Sequence, residues 1–415
     1  MTAQTESVDV VVVGAGPAGL TAAAELRRRG VPSVVVLDRE VQAGGIPRHS
    51  DHTGFGVRDL RRLLSGPAYA RRLVQLAESA GAQIRTRSMV TGWADDAALL
   101  VTSPQGRYRL DAGAVVLATG ARERPRSARL VPGDRPAGVL TTGQLQNAVH
   151  LHGRPVDGPA VIVGSELVSW SAAMTLREAG CRLPVMVTPH PRPEAYGAFA
   201  VTGRVALGVV LRTHTRVTRI LGHDRVEAVE LTDLATGRRY LELCSTVVFT
   251  GDWIPDHELA RLRGIEIDPD HRGPLVDAAL RTSAPGVFAI GNLVHPVDTA
   301  DVAALDGRHV AGAVAAHLES GDRRSPAVRL RAEAPFRWVT PGWLRPDAGA
   351  PPRHRLLLWA DEHHRTPQVV ARQGASVIGR RRLPWPASPG RMFRVPWSLG
   401  ADADPEAGDV TLSLA

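Results

Sequence analysis

Apolar and polar positions fall into blocks that define the first elements of the chain. In VDVVVVGAGPAGLTAAAELRRRGVPSVVVLDRE, which begins at Val8, the run VVVV has the continuous apolar character of a parallel strand buried on both faces. LTAAAELRRRG follows with apolar positions at helical spacing and closes on Gly30, and SVVVLD reads as the next strand. The predicted unit is strand, glycine turn, helix, strand. DAGAVVLATGARERPR repeats the strand-into-turn pattern at Ala118-Thr119-Gly120, and TSAPGVFAIGNLVHPVDTADVAALDGRHVAGAVAAHL reads as a turn, a short strand ending at Gly291-Asn292, and a helix. Between them, GPAVIVGSELVSWSAAMTLREAGCRLPVMVTPH carries a second βαβ pattern. Beyond about residue 325 the pattern changes to short alternating runs, RLLLWA, QVVARQ and MFRVPWSL, separated by proline and glycine turns, which predict a small β domain. That tail holds five of the eight tryptophans, read as core or interface residues because no regular basic and aromatic interleaving accompanies them.

At 415 residues and 44% apolar the chain has material for two or three cores. Its start, MTAQTESVDVVVVGAG, has neither the basic opening nor the apolar length of a secretory leader, and no apolar run approaches the roughly 18 residues of a membrane span. A cytoplasmic, soluble chain with no membrane partner is expected. The net charge of +8 comes from arginines dispersed among acids, so solvated surface is expected rather than a nucleic-acid footprint. All 50 basic residues are arginine, which excludes lysine Schiff-base chemistry and a lysine partner for a flavin N5. The only cysteines, Cys181 and Cys244, form neither a CxxC nor a metal-ligand pattern, which argues against thiol redox chemistry, structural disulfides and iron–sulfur ligation.

The first glycine turn, Gly14-Ala15-Gly16-Pro17-Ala18-Gly19, fits G-x-G-x-x-G between a strand and a helix. Gly14 permits the tight turn, Gly16 lets backbone approach a diphosphate, and Gly19 lets helix and strand pack closely. Asp38 ends the next strand about 20 residues on, where a carboxylate accepts ribose hydroxyls. Strand, helix and acid together predict dinucleotide binding. The second βαβ pattern departs from this, because its turn reads Gly164-Ser165-Glu166-Leu167-Val168-Ser169. Glu166 stands where backbone should approach a diphosphate and its charge opposes one, while VMVTPH offers neither an acid nor an arginine at the strand end. The fold is expected there, and nicotinamide binding is in doubt.

The order GxGxxG, ATG and GVFAIGN resembles the two-dinucleotide-domain flavoproteins of the glutathione and thioredoxin reductase superfamily, over residues 8 to about 320. GGIPRHSDHTGFGVRDLRRLLSGPAYARRL, TGDWIPDHEL and GNLVHPVDTAD look closest to flavoprotein subunits of multi-component dehydrogenases of the hydrogen cyanide synthase, opine oxidase and hydroxyproline dehydrogenase type. The resemblance implies an α/β fold of two Rossmann-like domains: an FAD-binding domain at residues 1–125 and 271–325, with a NAD(P)-like domain inserted at 126–270. A C-terminal β-rich domain is expected at 326–415. The resemblance places FAD against Gly14 to Gly19, Asp38, Arg39, Gly44, Gly45, Arg48, Val90, Ala118, Thr119, Gly120, Gly291 and Asn292. Asn292 stands where the superfamily has an acid for the ribityl chain and can still hydrogen-bond a hydroxyl.

In disulfide reductases of this kind the segment after the second strand delivers a cysteine pair beside the flavin, but here it reads GGIPRHSDHTGFG. The nearest relatives are expected to carry a cysteine at Ser50, where this chain has none. A disulfide reductase is therefore excluded. His49 and His52 admit two readings: general bases for hydride transfer to flavin, or groups that hydrogen-bond the flavin edge or cap a loop with Asp51. Their H-x-x-H spacing lacks a third metal ligand. Arg48 is a candidate for FAD phosphate or a substrate carboxylate, or else for a surface ion pair. Trp253 and Asp252 are placed either near the flavin or at a domain junction, and His363 and His364 in a solvated loop. The implied activity is that of an FAD-dependent oxidoreductase on a small amine, amino acid or hydroxy acid. It would work in an oligomer, with a dehydrogenase or iron–sulfur subunit as partner. The alternatives that remain are a stand-alone flavin oxidase or dehydrogenase, a NAD(P)H-dependent reductase and a non-catalytic FAD-bearing scaffold.

Overall fold

The computed structural model describes residues 4–156, 158–181 and 183–415, which divide into two compact units. One comprises residues up to Arg48, Thr53–Ala121 and Ile254–Ala415; the other comprises His49–His52 and Arg122–Trp253.

In the first unit the strand Gln4–Val13 pairs in parallel with Val34–Leu37 on one side and Gly106–Leu117 on the other. Val10, Val11, Val12 and Val13 are essentially solvent-free, which is why the sequence shows no alternation there. The sheet runs in the order Gln83–Arg85, Val34–Leu37, Gln4–Val13, Gly106–Leu117, Ala98–Ser103 and Met89–Trp93. Gly106–Leu117 is long enough to pair antiparallel with Ala98–Ser103 through its first half and parallel with Val287–Ala289 through its last three residues. The helix Pro17–Arg28 buries eight residues, seven of them alanine, leucine or glycine, against this sheet and the helix Ala300–Ser320. Small side chains permit the close approach: a Cβ on Gly307 would stand 2.2 Å from Ala18 O.

The tail of this unit folds as two sheets around a core of their own, with Leu330, Phe336, Leu356, Leu358, Val369, Phe393 and Leu412 at its centre. One sheet has five strands, including Gln368–Gln373 and Ser376–Arg382; the other has Phe336–Thr340, Arg355–Ala360 and Phe393–Pro396. The runs RLLLWA and QVVARQ are strands along their whole length. Trp338 is buried and stacks on Trp359 at 6.2 Å. His363 is exposed, while His364 is partly covered and its N–H donates to Ala387 O, so only the first of the pair lies open as expected.

The second unit has a parallel five-stranded sheet in the order Val139–Thr141, Thr246–Phe249, Ala160–Val163, Val185–Val187 and Val210–Arg212. A three-stranded antiparallel sheet, Thr215–Leu221, Ala228–Asp233 and Arg239–Leu243, accompanies it. Among the described residues no helix is long and apolar enough to cross a membrane.

Candidate functional site

Three glycine turns meet at the carboxyl ends of the first unit's strands, where an open parallel sheet presents a crevice to a ligand. Gly14 donates its N–H to Leu37 O and adopts φ +109. A Cβ there would stand 2.4 Å from Ala118 O, so the first turn and the Ala118-Thr119-Gly120 turn are in backbone contact. Gly44 donates to Ala15 O, and a Cβ on Gly45 would lie 2.8 Å from Gly16 Cα, which lays the Gly44–Gly45 segment across the first turn. A Cβ on Gly291 would meet that of Ala18 at 2.8 Å, bringing the third turn to the same helix end. Gly16 and Gly120 alone face open space: nothing lies within 4 Å of a Cβ built on either.

The helix begins at Pro17 with no acid in its first turn and no side chain capping it. Its first amides therefore keep their donors for an anion. Asp38 accepts from Ala15 N at 2.7 Å through one oxygen and from Glu40 N at 2.8 Å through the other, which fixes the carboxylate beside the turn. Ser88 N donates to Asp38 O, seating the segment that leads to the buried Val90 next to this acid. Arg39 is exposed and pairs with Asp256 at 3.5 Å. Arg48 donates to Gln42 O at 2.8 Å and reaches Glu40 at 3.5 Å, while its Nε is buried without a partner.

Asn292 donates through Nδ2 to Asp298 O at 3.0 Å and leaves Oδ1 buried with no donor. A buried acceptor in that condition costs about 1–3 kcal/mol, and a ligand hydroxyl would relieve it. Open space at Gly16 and Gly120, unsatisfied helix amides, and two buried polar atoms awaiting partners at Arg48 and Asn292 are what an FAD diphosphate and ribityl chain require. The residues present fit that cofactor.

Sequence reading missed the pair that holds the third turn. Asp306, on the helix Ala300–Ser320, accepts from Gly291 N at 3.2 Å and is hydrogen-bonded to His295 Nε2. Burial alone would push its carboxyl up, but His295 holds it below the usual carboxylate range. The available signal was an aspartate on the apolar face of VAALDGRHVAG. Asp298, three residues beyond His295, ion-pairs with Arg394 of the tail at 2.5 Å.

His49 and His52 fall in the second unit. His49 is buried. Ser50 Oγ donates to Gln146 Oε1 at 3.0 Å, and Gln146 Nε2 donates to Ser171 Oγ at 2.7 Å. Ser171 Oγ is in turn hydrogen-bonded to His52 Nε2 at 2.7 Å. Gln146→Leu removes one hydrogen bond from each serine and is expected to cost about 1–3 kcal/mol, read as a lower urea midpoint. An unchanged midpoint would show that the chain of hydrogen bonds contributes nothing to stability. Asp252 takes φ +51 and pairs with Arg124 at 3.5 Å.

Comparison with known proteins agrees with this architecture. The family model described as pyridine nucleotide-disulphide oxidoreductase matches residues 8–307. An opine oxidase subunit of Agrobacterium tumefaciens (strain Ach5) is 29% identical over 344 residues, covering 74% of this chain and 64% of that protein. The chain thus spans just under two thirds of that relative's length. The ferredoxin–NADP reductase of Salinispora tropica (strain ATCC BAA-916 / DSM 44818 / JCM 13857 / NBRC 105044 / CNB-440) is 32% identical over 300 residues, 69% of this chain and 86% of that protein. Among solved structures, T. acidophilum thioredoxin reductase shares the fold, with a TM-score of 0.64 over 76% of this chain and 99% of that one at 24% identity. The extra β sheets of the tail lie beyond the matched residues. By sequence, fold and the meeting of its glycine turns, the chain belongs to the pyridine nucleotide-disulphide oxidoreductase family, flavin oxidoreductases that typically bind FAD.

Proposed function

We propose that this chain is the FAD-bearing component of a dehydrogenase that oxidises a small amine, amino acid or hydroxy acid and passes the electrons to a partner subunit. The observation that carries the reading is the likeness to an oxidase subunit over 74% of the chain, in a protein with no cysteine pair. Cys181 and Cys244 form no disulfide and are both buried, in different hydrophobic clusters. Burial pushes both thiols up, that of Cys244 to about 12, so neither supplies a thiolate at neutral pH. Disulfide reduction is outside the chemistry of this chain.

FAD, when bound, supplies a two-electron acceptor for hydride leaving a substrate carbon. The chain's own residues hold and orient it. The amides after Gly16 and the Arg48 guanidinium take the diphosphate, Asp38 takes the ribose of the adenosine half, and Asn292 Oδ1 accepts a ribityl hydroxyl. Arg48→Ala is expected to weaken FAD retention about tenfold, which corresponds to roughly 1.4 kcal/mol, measured as flavin lost on dilution. Retention equal to that of the wild type would remove Arg48 from the site.

Anaerobic absorbance of the yellow protein tests the function. Visible flavin colour is expected to persist with NADH and NADPH and to fade with an amine, amino acid or hydroxy acid donor once the partner is supplied. Fading with a donor on this chain alone would establish a stand-alone dehydrogenase. Rapid fading with NADPH would instead establish a nicotinamide-dependent reductase, as the ferredoxin–NADP reductase relative is named.

A further inference from the structure

The second unit repeats the backbone of the first unit's glycine turn and fills it differently. Strand Ala160–Val163 runs into Gly164 at φ +128, as Gln4–Val13 runs into Gly14 at φ +109. Gly164 N donates to Val187 O at 2.9 Å, as Gly14 N does to Leu37 O at 2.8 Å. Glu166 precedes the helix Leu167–Glu178 with φ −75 and ψ 178, and Gly16 precedes the helix Pro17–Arg28 with φ −83 and ψ −176. The two turns are therefore equivalent residue by residue, and Glu166 occupies the place of Gly16.

At Gly16 the space beyond the backbone is open; at Glu166 the side chain turns back into it. Its Oε1 lies 1.7 Å from where a Cβ on Gly251 would stand, and its Oε2 lies 2.6 Å from a Cβ on Gly164, so the carboxylate rests on two glycines at the strand ends. It accepts from Ser169 Oγ at 3.0 Å, in the first turn of the helix, and from Thr250 Oγ1 at 3.2 Å. A carboxylate at a helix N-terminus, with hydroxyl donors around it, imitates a bound phosphate.

The ribose position is filled as well. Thr188 directly follows the strand Val185–Val187, as Asp38 directly follows Val34–Leu37. No acid occupies that position in sequence, but Glu194 folds back to it: one of its oxygens accepts from Thr188 Oγ1 at 2.9 Å and from Ser165 Oγ, and its N–H donates to Ser165 Oγ at 3.2 Å. Glu166 and Glu194 are 7% and 8% exposed, so both carboxyl groups are inside the fold rather than on the rim of an open crevice.

We infer that the second unit's dinucleotide crevice is closed by the chain itself, with Glu166 in the seat of the diphosphate and Glu194 in that of the ribose hydroxyls, so that NAD(H) and NADP(H) do not enter. The residues do not fit the pyridine nucleotide that the family's name implies. It follows, on the proposed FAD reading, that electrons reach the flavin from an organic substrate or a carrier protein and not from a nicotinamide held by this unit.

Calorimetric titration of the FAD-loaded full chain with ADP-ribose, the portion shared by the nicotinamide dinucleotides, tests this directly. The wild type is expected to give no binding heat. Glu166→Gly combined with Glu194→Ser, checked for fold by circular dichroism and for retained flavin, is expected to gain at least tenfold in affinity. Glu166→Ala alone, which keeps the helix start, is expected to show a smaller gain. Saturable binding by the wild type would overturn the inference, as would folded variants that bind no better than it does. Wild-type binding with bound FAD intact would leave the flavoprotein reading standing, whereas a chain that holds no FAD would defeat that reading and say nothing for an open crevice.

Discussion

Gly16→Val is expected to fold as the wild type does and to be purified without colour. The position has φ −83 and ψ −176, an extended conformation that valine adopts readily. Nothing of the protein lies within 4 Å of the new Cβ. The folded state therefore changes by no more than about 1 kcal/mol, the scale of helix N-cap preferences. The same volume is where backbone must approach a diphosphate, and a branched side chain there displaces it. Flavin content is expected to fall at least tenfold while the thermal midpoint of the cofactor-free protein stays put. Gly14→Ala makes the contrast. Its φ of +109 and the 2.4 Å approach to Ala118 O put strain and a backbone clash into the fold itself, so this variant is expected to lose stability with or without cofactor. If Gly16→Val keeps its flavin, the crevice is not the cofactor site.

The second large effect is a dependence of stability on pH set by Glu123 and Glu166. Burial pushes the Glu123 carboxyl from 4.5 to about 7, against the Gly143 N–H it accepts at 2.8 Å and the nearby Arg129; its Oε1 is buried without a donor. Burial and the neighbouring Glu194 push the Glu166 carboxyl above the usual carboxylate range as well, with Ser169 and Arg129 opposing. In both cases the folded state binds a proton more tightly than the unfolded chain. The contribution of these two groups to stability is therefore greatest below about 4.5, falls as pH rises through the window from 4.5 to about 7, and levels off above it. Over that window Glu123 contributes ~3 kcal/mol, at 1.36 kcal/mol per tenfold change in proton affinity. Glu123→Gln is expected to raise the thermal midpoint at about pH 8 by several degrees and to flatten the profile between about pH 5 and pH 8. Glu166→Gln should act in the same direction. A variant that loses stability at pH 8 would show that the carboxylate is needed as an anion.

How far the sequence could be read follows from the range of the interactions involved. The βαβ units, their turns and the tail strands Arg355–Ala360 and Gln368–Gln373 were legible because periodicity, glycine placement and turn chemistry are local properties. Gly14, Gly44, Gly45, Gly120 and Gly291 were legible for the same reason: a turn that needs φ above zero admits few other residues. Asn292 was recognised as able to accept a hydroxyl, but its unsatisfied Oδ1 depends on Nδ2 being taken by Asp298 O.

The rest depended on partners far apart in the chain. His52 meets Ser171 across 119 residues, and Ser50 meets Gln146 across 96, so no local pattern in GGIPRHSDHTGFG could place these groups in the second unit's framework. The strand end in VMVTPH lacked an acid, yet Glu194 returns six residues later to the same place because Ser165 and Thr188 supply donors there. Glu166 was read as a charge facing an incoming diphosphate; the structure turns it onto Gly164 and Gly251, where it fills the seat instead. By itself the sequence determined the family, the two dinucleotide folds and the glycine turn of the first, because backbone geometry leaves its mark on neighbouring residues. Only the tertiary structure decided which crevice stays open, because that depends on side chains reaching across strands to donors whose positions packing alone sets.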